Sequence, residues 1–430
     1  MSVQPTYDPF SPRGGGIGDR STACEAMRGA GSLVQAEATA GGPVWIVTDD
    51  TLAREVLSDA RFAKDPALAP SHWHGREPGL EPPAAQVRSL TTLDGPEHRV
   101  LRAVHAPAFT PRRILAAHDH VASIARDLLT DLAAEADRTG RPIDLVARFA
   151  TRYPLIVICD LLGVPTIDLD RAIRASDAMS HGDANHAYAA MADLQVLVTS
   201  AIRAGRSGND QTMTDILSER AHAELGDVTD DELLYMITGL IFAGQVTTES
   251  FLGFLLAHHL GGHLDGGGPG NAPGETAQAI DAMVSEALRL HPPAPFTLWR
   301  FTTTAISFAG HDLPAGAPVL VDIEGINTDP SRHPAPYDLD PHRVRVPDLT
   351  FGDGPHYCIG AQLARLEARV VIEVLRDDFP DAVLAIPFDE LRRDDSGAQS
   401  RRLRTLPAWL RGPRPAASPG SPAPDEPVIP

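Results

Sequence analysis

The longest run of apolar positions in the chain lies between Val228 and Leu260, VTDDELLYMITGLIFAGQVTTESFLGFLLAHHL. Apolar residues surround nearly its whole circumference, which predicts a helix that passes through the core rather than over the surface. Thr229, followed three residues later by Glu232, gives a capping-box signature at its start. Midway, AGQVTT (Ala243–Thr248) sets two small residues beside two hydroxyls, so a flat or bulky partner can approach while the hydroxyls bond back to the helix. Further helices are predicted at TLAREVLSDARF, which Asp49 and Asp50 can cap, and at DGPEHRVLRAVHAPAFTPRRI (94–114). They continue as an amphipathic series over 115–225, a helix carrying EALRLHPP (286–293) and AQLARLEARVVIEVL (361–375). Cys159 falls on an apolar face of this series and reads as core packing. Short β-branched runs predict strands at GPVWIVT (42–48), in PVLVDIEGINTDP (318–330, a strand and a turn) and in RRLRTLPAWL (401–410). Residues 1–42 read as loop-rich. Residues 65–90, with five prolines and Trp73, read as a long irregular loop of the kind that often carries function. HGDANHAY (181–188) breaks the helical pattern, 261–274 is a glycine-rich connector, and 412–430 is a Pro-rich tail expected to be disordered. The fold class is therefore mostly α with a smaller β region, in one domain spanning 1–411.

Composition narrows the partners. The 430 residues carry a formal net charge of -20, which disfavours nucleic acid. The basic residues are arginine with the sole exception of Lys64, so any basic docking patch must be built from arginine. No run of 18 or more apolar residues occurs, and the N-terminus lacks a charged segment followed by an apolar one. These features predict a soluble, cytoplasmic protein with no membrane anchor and no secretion signal. Cys24, Cys159 and Cys358 are odd in number and far apart, which argues against a disulfide framework.

The candidate chemistry lies in FGDGPHYCIG (Phe351–Gly360). So many glycines let the backbone come close to a flat partner and free positions to take φ > 0. Cys358 ends this loop just before a predicted helix, where the dipole and free N–H groups favour a thiolate. Zinc would need three more Cys or His ligands at CxxC-like spacing, and these are absent. A macrocycle with four nitrogens removes that need, which points to heme with a cysteine axial ligand. The competing reading is an inert buried cysteine in a glycine-rich turn.

The loop resembles the heme-binding loop FxxGxHxCxG of the cytochrome P-450 family, with Phe351, Gly354, His356, Cys358 and Gly360 at its fixed positions. Other segments resemble the same family in order across roughly residues 40–411. Pro96, Glu97, His98 and Arg102 match its DPPEHxxxR segment, which implies that His98 and Arg102 hold heme propionates. Arg300 matches a further propionate arginine, and 295–298 a stretch lining the substrate pocket. HGDANHAY matches the roof of that pocket. AGQVTT resembles AGxxTT, which makes Thr247 the threonine that hydrogen-bonds oxygen at the heme. Glu286 and Arg289 match ExxR, with Arg343 as their third partner and a scaffold role. Asn327, Asp329 and Pro330 match the ANRDP element, with Thr328 replacing its arginine.

One departure bears on mechanism: Val246 stands where the family usually has an acid, leaving Gln245 and Glu249 as the nearest polar candidates. The resemblance implies a cytochrome P-450 fold holding heme b. It implies a monooxygenase that inserts one oxygen atom from O2 into a small-molecule substrate, expected to be a natural-product intermediate. The cofactor-binding residues would be His98, Arg102, Arg300, His356 and Cys358, with Cys358 on the iron, and the catalytic residues Thr247 and Gln245. No flavin or iron–sulfur motif is present, so electrons are expected from a ferredoxin-type partner docking near Arg102, Arg112, Arg113, Arg365 and Arg369. Oxidative coupling, peroxide-driven chemistry and a non-catalytic heme protein are the alternatives.

Overall fold

The structure, a computed structural model, describes residues 9–10, 15–19, 21–74, 76–81, 88–164, 168–181, 184–204, 211–263, 277–394 and 401–412. Most of the glycine-rich connector, part of the 65–90 loop and all but the start of the Pro-rich tail lie outside them.

Helices dominate, and the longest runs from Asp230 to Leu260. Its capping box forms as the sequence indicates: Thr229 Oγ1 accepts the Glu232 amide at 3.2 Å, and the Glu232 carboxylate accepts the Thr229 amide at 3.0 Å. The C-terminal half is enclosed on all sides, with Phe251, Leu252, Phe254, Leu255, Leu256 and Ala257 buried in the main core. Among the described residues this is the one helix long and apolar enough to cross a membrane, yet 67% of that apolar window is buried inside the protein. It is a core helix.

The smaller β region centres on five strands lying side by side in the order Leu33–Glu37, Pro43–Val47, Pro318–Val321, Arg300–Thr302 and Phe62–Ala63. Pro43–Val47 runs parallel to Pro318–Val321, and the other neighbours are antiparallel. This sheet brings Arg300 next to the segment that leads into Lys64. The described part of the 65–90 loop holds two short 3-10 turns, Pro66–Leu68 and Ser71–Trp73, and is anchored. Trp73 is fully buried, donates its indole N–H to Gly41 O at 2.9 Å and meets Trp299 edge-on at 4.9 Å. Trp299 in turn donates to Pro78 O at 3.1 Å.

Three expectations are corrected. Residues 1–42 are not simply loop: Thr22–Ala30 is a helix and Leu33–Glu37 a strand. Ser21 caps that helix by accepting the Cys24 amide, and its Ala23, Cys24 and Met27 form a buried face. The region after Pro318–Val321 folds into a short helix, Ile323–Asn327, because the Asp322 carboxylate accepts the Gly325 amide at 2.9 Å. The helical pattern also resumes sooner than HGDANHAY suggests. A helix ends at His181 and the next begins at Ala184, its alanine-rich sequence favouring helix over loop, and the break between them lies outside the described residues.

A buried ion cluster positions the cysteine loop. The Glu286 carboxylate takes both Nε and Nη2 of Arg289, at 2.9 and 2.7 Å, and Nε of Arg343 at 2.8 Å. Arg289 also donates to the carbonyls of Asn327 and Pro336, both at 2.8 Å. The Asn327 side chain then bonds Thr350 Oγ1 and the Leu349 amide, both at 2.9 Å, immediately before Phe351. The scaffold role expected of the Glu286–Arg289–Arg343 trio is what these contacts describe.

Candidate active site

The cysteine loop is a fixed turn. Gly354 has φ +67, and a Cβ there would come within 3.0 Å of the Leu57 carbonyl, so both conformation and close approach require glycine. The Cys358 amide donates to Phe351 O at 2.9 Å, and the Ala361–Asp378 helix starts three residues later. Cys358 is exposed, yet the protein packed around its sulfur pushes the thiol up, while the amides of Gly360 and Ala361 and the charge of Arg102 act to stabilise its thiolate. The Arg365 guanidinium lies 4.9 Å over the Phe351 ring, bracing the loop from the following helix.

The four basic residues expected to bind the cofactor, three of them at its propionates, meet beside this loop. His98 and Arg102 share a face of the Gly95–His105 helix. The His98 ring lies 4.0 Å from that of His356, and Arg102 donates to Tyr357 O at 2.7 Å. Arg300 donates Nη1 to Phe62 O at 3.0 Å and Nη2 to Leu57 O at 3.4 Å.

Two residues given no site role by the sequence reading join them. Asp94 occupies the helix N-cap but makes no capping bond. Its carboxylate instead accepts the Lys64 amide at 2.6 Å and contacts His356 Nε2 at 2.9 Å. Asp94 stands at the first position of the segment resembling DPPEHxxxR, but neither it nor Lys64 was given a role from the sequence.

The electrostatics of the cluster run in one direction. Burial, with His356 and Arg102 nearby, brings His98 down to about 4. Burial also lowers His356, although Asp94 opposes it, and takes Arg300 down to about 10. His98 Nε2 and Arg300 Nε are buried with no protein partner. Buried bases with unmatched donors suit an anionic ligand. The two propionate carboxylates of heme b, with Cys358 as the thiolate ligand, fit this donor set.

On the central helix, Ala243 and Thr247 are exposed one turn apart while Gln245, Thr248 and Glu249 are buried. Thr247 Oγ1 donates to Ala243 O at 2.8 Å, the back-bond expected of it. Gln245 is not brought to Thr247. Two residues of helix turn it about 200° away, and its Nε2 donates to Glu249 Oε2 at 2.5 Å. Glu249 also accepts Thr151 Oγ1 at 3.0 Å and lies 3.4 Å from Arg402, which reaches Asp177 at 2.9 Å and Asp394 at 3.7 Å. Burial raises the Glu249 carboxyl, and Arg402, Thr151 and Gln245 counter it.

The expected docking arginines are mostly engaged. Arg369 grips Asp281 through two bonds at 2.7 and 2.6 Å, Arg365 donates to Ser285 Oγ at 3.2 Å and Arg113 donates to Gln211 O. Arg112 is exposed.

Comparison with known proteins decides the family. The profile described as Cytochrome P450 matches residues 278–379. The chain is 50% identical over 419 residues to the cytochrome P-450 monooxygenase DoxA of Streptomyces sp. strain C5, covering 94% of this chain and 98% of that one. This chain is a cytochrome P450. It is 32% identical over 364 residues to the mycinamicin IV hydroxylase/epoxidase of Micromonospora griseorubida, covering 82% and 86% of the two chains. The solved structure of CYP154C4 from Streptomyces sp. W2061 superposes with a TM-score of 0.77 at 28% identity, over 96% of this chain and 98% of that one. The expected fold and family are thus borne out. Like its relatives, this cytochrome P450 is a heme-thiolate monooxygenase that binds heme b, acts on a small-molecule substrate and needs a redox partner.

Proposed function

We propose that this cytochrome P450 is a cytoplasmic, ferredoxin-dependent enzyme that inserts one oxygen atom from O2 into a natural-product intermediate. The observation that carries its site assignment is the meeting of His98, Arg102, Arg300 and His356 beside the Cys358 thiol. In this reading the four bases hold the heme carboxylates and Cys358 is the iron ligand. Once bound, the heme supplies the oxidising chemistry, and a thiolate ligand favours O–O cleavage.

Thr247 is the catalytic residue of the cleft, holding a proton at Oγ1 on the open edge of the central helix. Gln245 acts through another group: it is a positioning residue that holds Glu249 on the back of the same helix. Arg402 ties Glu249 to half-exposed Asp177, so the helix carries a buried carboxyl close to the surface without an acid at position 246. Burial raises the Glu249 carboxyl, which eases its protonation relative to an exposed acid.

The natural-product substrate is supported by relatives such as the mycinamicin IV hydroxylase/epoxidase. The ferredoxin reading is supported by exposed Arg112 and Leu115 on one short helix and exposed Tyr357 on the cysteine loop, against the net charge of -20.

Turnover with NADPH, a ferredoxin reductase and a ferredoxin, read by product mass, tests the proposal. A gain of one oxygen is the expected result. Loss of two hydrogens would replace oxygen insertion with oxidative coupling, and absence of any product across a broad panel of natural-product intermediates would reject the substrate class.

A further inference from the structure

Of the 37 basic residues other than histidine, 36 are arginine, and the remaining one, Lys64, is buried beside the heme-propionate seat. Its backbone is fixed from two sides. The Lys64 amide donates to Asp94 Oδ2, whose other oxygen contacts His356, and the carbonyl of Phe62 two residues earlier accepts Arg300. The Lys64 side chain makes no ion pair with any described residue. Its charge is felt at both His98 and His356, and it faces Arg300, Glu81 and Asp94.

Those two acids do not balance the site. Asp94 is held ionised by His356 and the Lys64 amide, against burial, whereas burial raises the Glu81 carboxyl, which accepts Thr91 Oγ1 at 2.7 Å. Lys64, Arg300 and Arg102 therefore bring three cationic groups to a place where Lys64 is faced by two carboxyls, Asp94 and Glu81. A buried ammonium with too little negative charge around it ordinarily tends to lose its proton. Among its present neighbours, burial and Arg300 bring Lys64 down to about 7. An additional carboxylate within reach would reverse that.

We propose that Lys64 is a positioning residue for the heme, its ammonium binding a propionate carboxylate as a fifth basic partner beside His98, Arg102, Arg300 and His356. The inference rests on reading those four residues as the propionate seat. A lysine suits the added role, because its compact ammonium on a flexible stem can take one carboxylate oxygen where the Arg300 fork is already engaged with two carbonyls.

The test compares the holoenzyme with Lys64→Met, Lys64→Arg and Arg300→Met, following heme transfer to excess apomyoglobin, the ferric/ferrous potential and the thermal midpoint. Lys64→Met should speed heme loss about tenfold, the scale of one lost charge-assisted hydrogen bond, and lower the potential by removing a nearby positive charge. Lys64→Arg should restore most of both, and the thiolate-type spectrum of the reduced CO complex should persist throughout. If Lys64→Met keeps heme as firmly as the parent while Arg300→Met loses it, the seat stands and Lys64 has no part in it. If neither variant loses heme faster, the seat itself is misassigned. If Lys64→Met lowers only the thermal midpoint and leaves the potential unchanged, the lysine is structural and the proposal fails.

Discussion

Cys358 sits under opposing influences that only a bound metal resolves. The protein packed around its sulfur pushes the thiol up, while two amides and Arg102 wait to stabilise the thiolate, and metal ligation removes the proton outright. Cys358→His should therefore replace the thiolate-type spectrum of the reduced CO complex with a histidine-heme type, and Cys358→Ala should abolish it. A thiolate spectrum in either variant would remove Cys358 from the iron.

The same scale tests the proton route. Val246→Glu adds a carboxylate three residues before Glu249, about 60° around the helix, where no described base awaits it. It should weaken substrate binding, as an unpaired carboxylate in a half-buried wall must, without improving coupling. Glu249→Gln should raise the share of electrons ending as peroxide and alter the pH profile of product formation. If Val246→Glu improves coupling and Glu249→Gln changes nothing, the acid belongs at position 246 and Glu249 only packs.

Residues such as Cys358, His98 and Arg102 were legible because short fixed spacings carry them. Asp94 and Glu249 were not, since their partners, His356 at 262 residues' distance and Arg402 at 153, are supplied by the fold alone.

Elements were legible where local chemistry alone determines them. The capping box at Thr229 and the apolar run behind it set the central helix, and both appear where the sequence puts them. The helix Thr22–Ala30 was missed because nine residues hold little more than two turns of periodicity, and glycines flank them. Its stability comes from packing Cys24 and Met27 into the core, a tertiary cause.

The Glu286 cluster couples several elements at once, joining the Ala277–Leu290 helix to the segment leading into the cysteine loop. Glu286→Gln would leave two guanidinium groups buried against a neutral amide. It should cost roughly 3–5 kcal/mol of stability and release heme, whereas a truly surface ion pair would cost under about 1 kcal/mol. Chemical denaturation of the holoenzyme distinguishes the two. A cost below about 1 kcal/mol would mean that the trio is not the tie it resembles.

Charge over the whole molecule sets how it meets a partner and how it meets acid. With a net charge of -20, an acidic ferredoxin is repelled at long range, so its approach depends on a local arginine patch. Reversing Arg112 and Arg113 to Glu should slow reduction steeply at low salt and leave substrate binding alone, with the difference shrinking as salt rises. Equal reduction rates in stopped-flow mixing would rule the patch out.

Acid acts through the interior. Buried His258, His259 and His333 and partly buried His291 are held below the usual histidine range, His259 to about 4 by burial and the charge of Arg376. The unfolded chain takes up these protons near pH 6.5, the folded chain only at lower pH, near 4 for His259 and His333 and near 3 for His258, so each such group removes stability as pH falls through that window. Buried carboxyls with raised values work in the opposite sense: Glu77, raised to about 7 by burial, is protonated in the folded state first and gains stability on acidification. The total slope therefore mixes two signs, and a single site is separated from it by comparing parent and variant at each pH. His259 is the suitable site, since its Nδ1 has no hydrogen-bond partner to lose and the side chain is 9% exposed. Relative to the parent, His259→Leu should gain stability as pH drops from 6.5 to 5, by on the order of 2 kcal/mol at 1.36 kcal/mol per pH unit. It should gain nothing further between pH 7 and 8, where histidine is neutral in both states. A parent–variant difference that stays flat from pH 8 to 5 would show that His259 titrates alike in both states, and that its burial plays no part in acid lability.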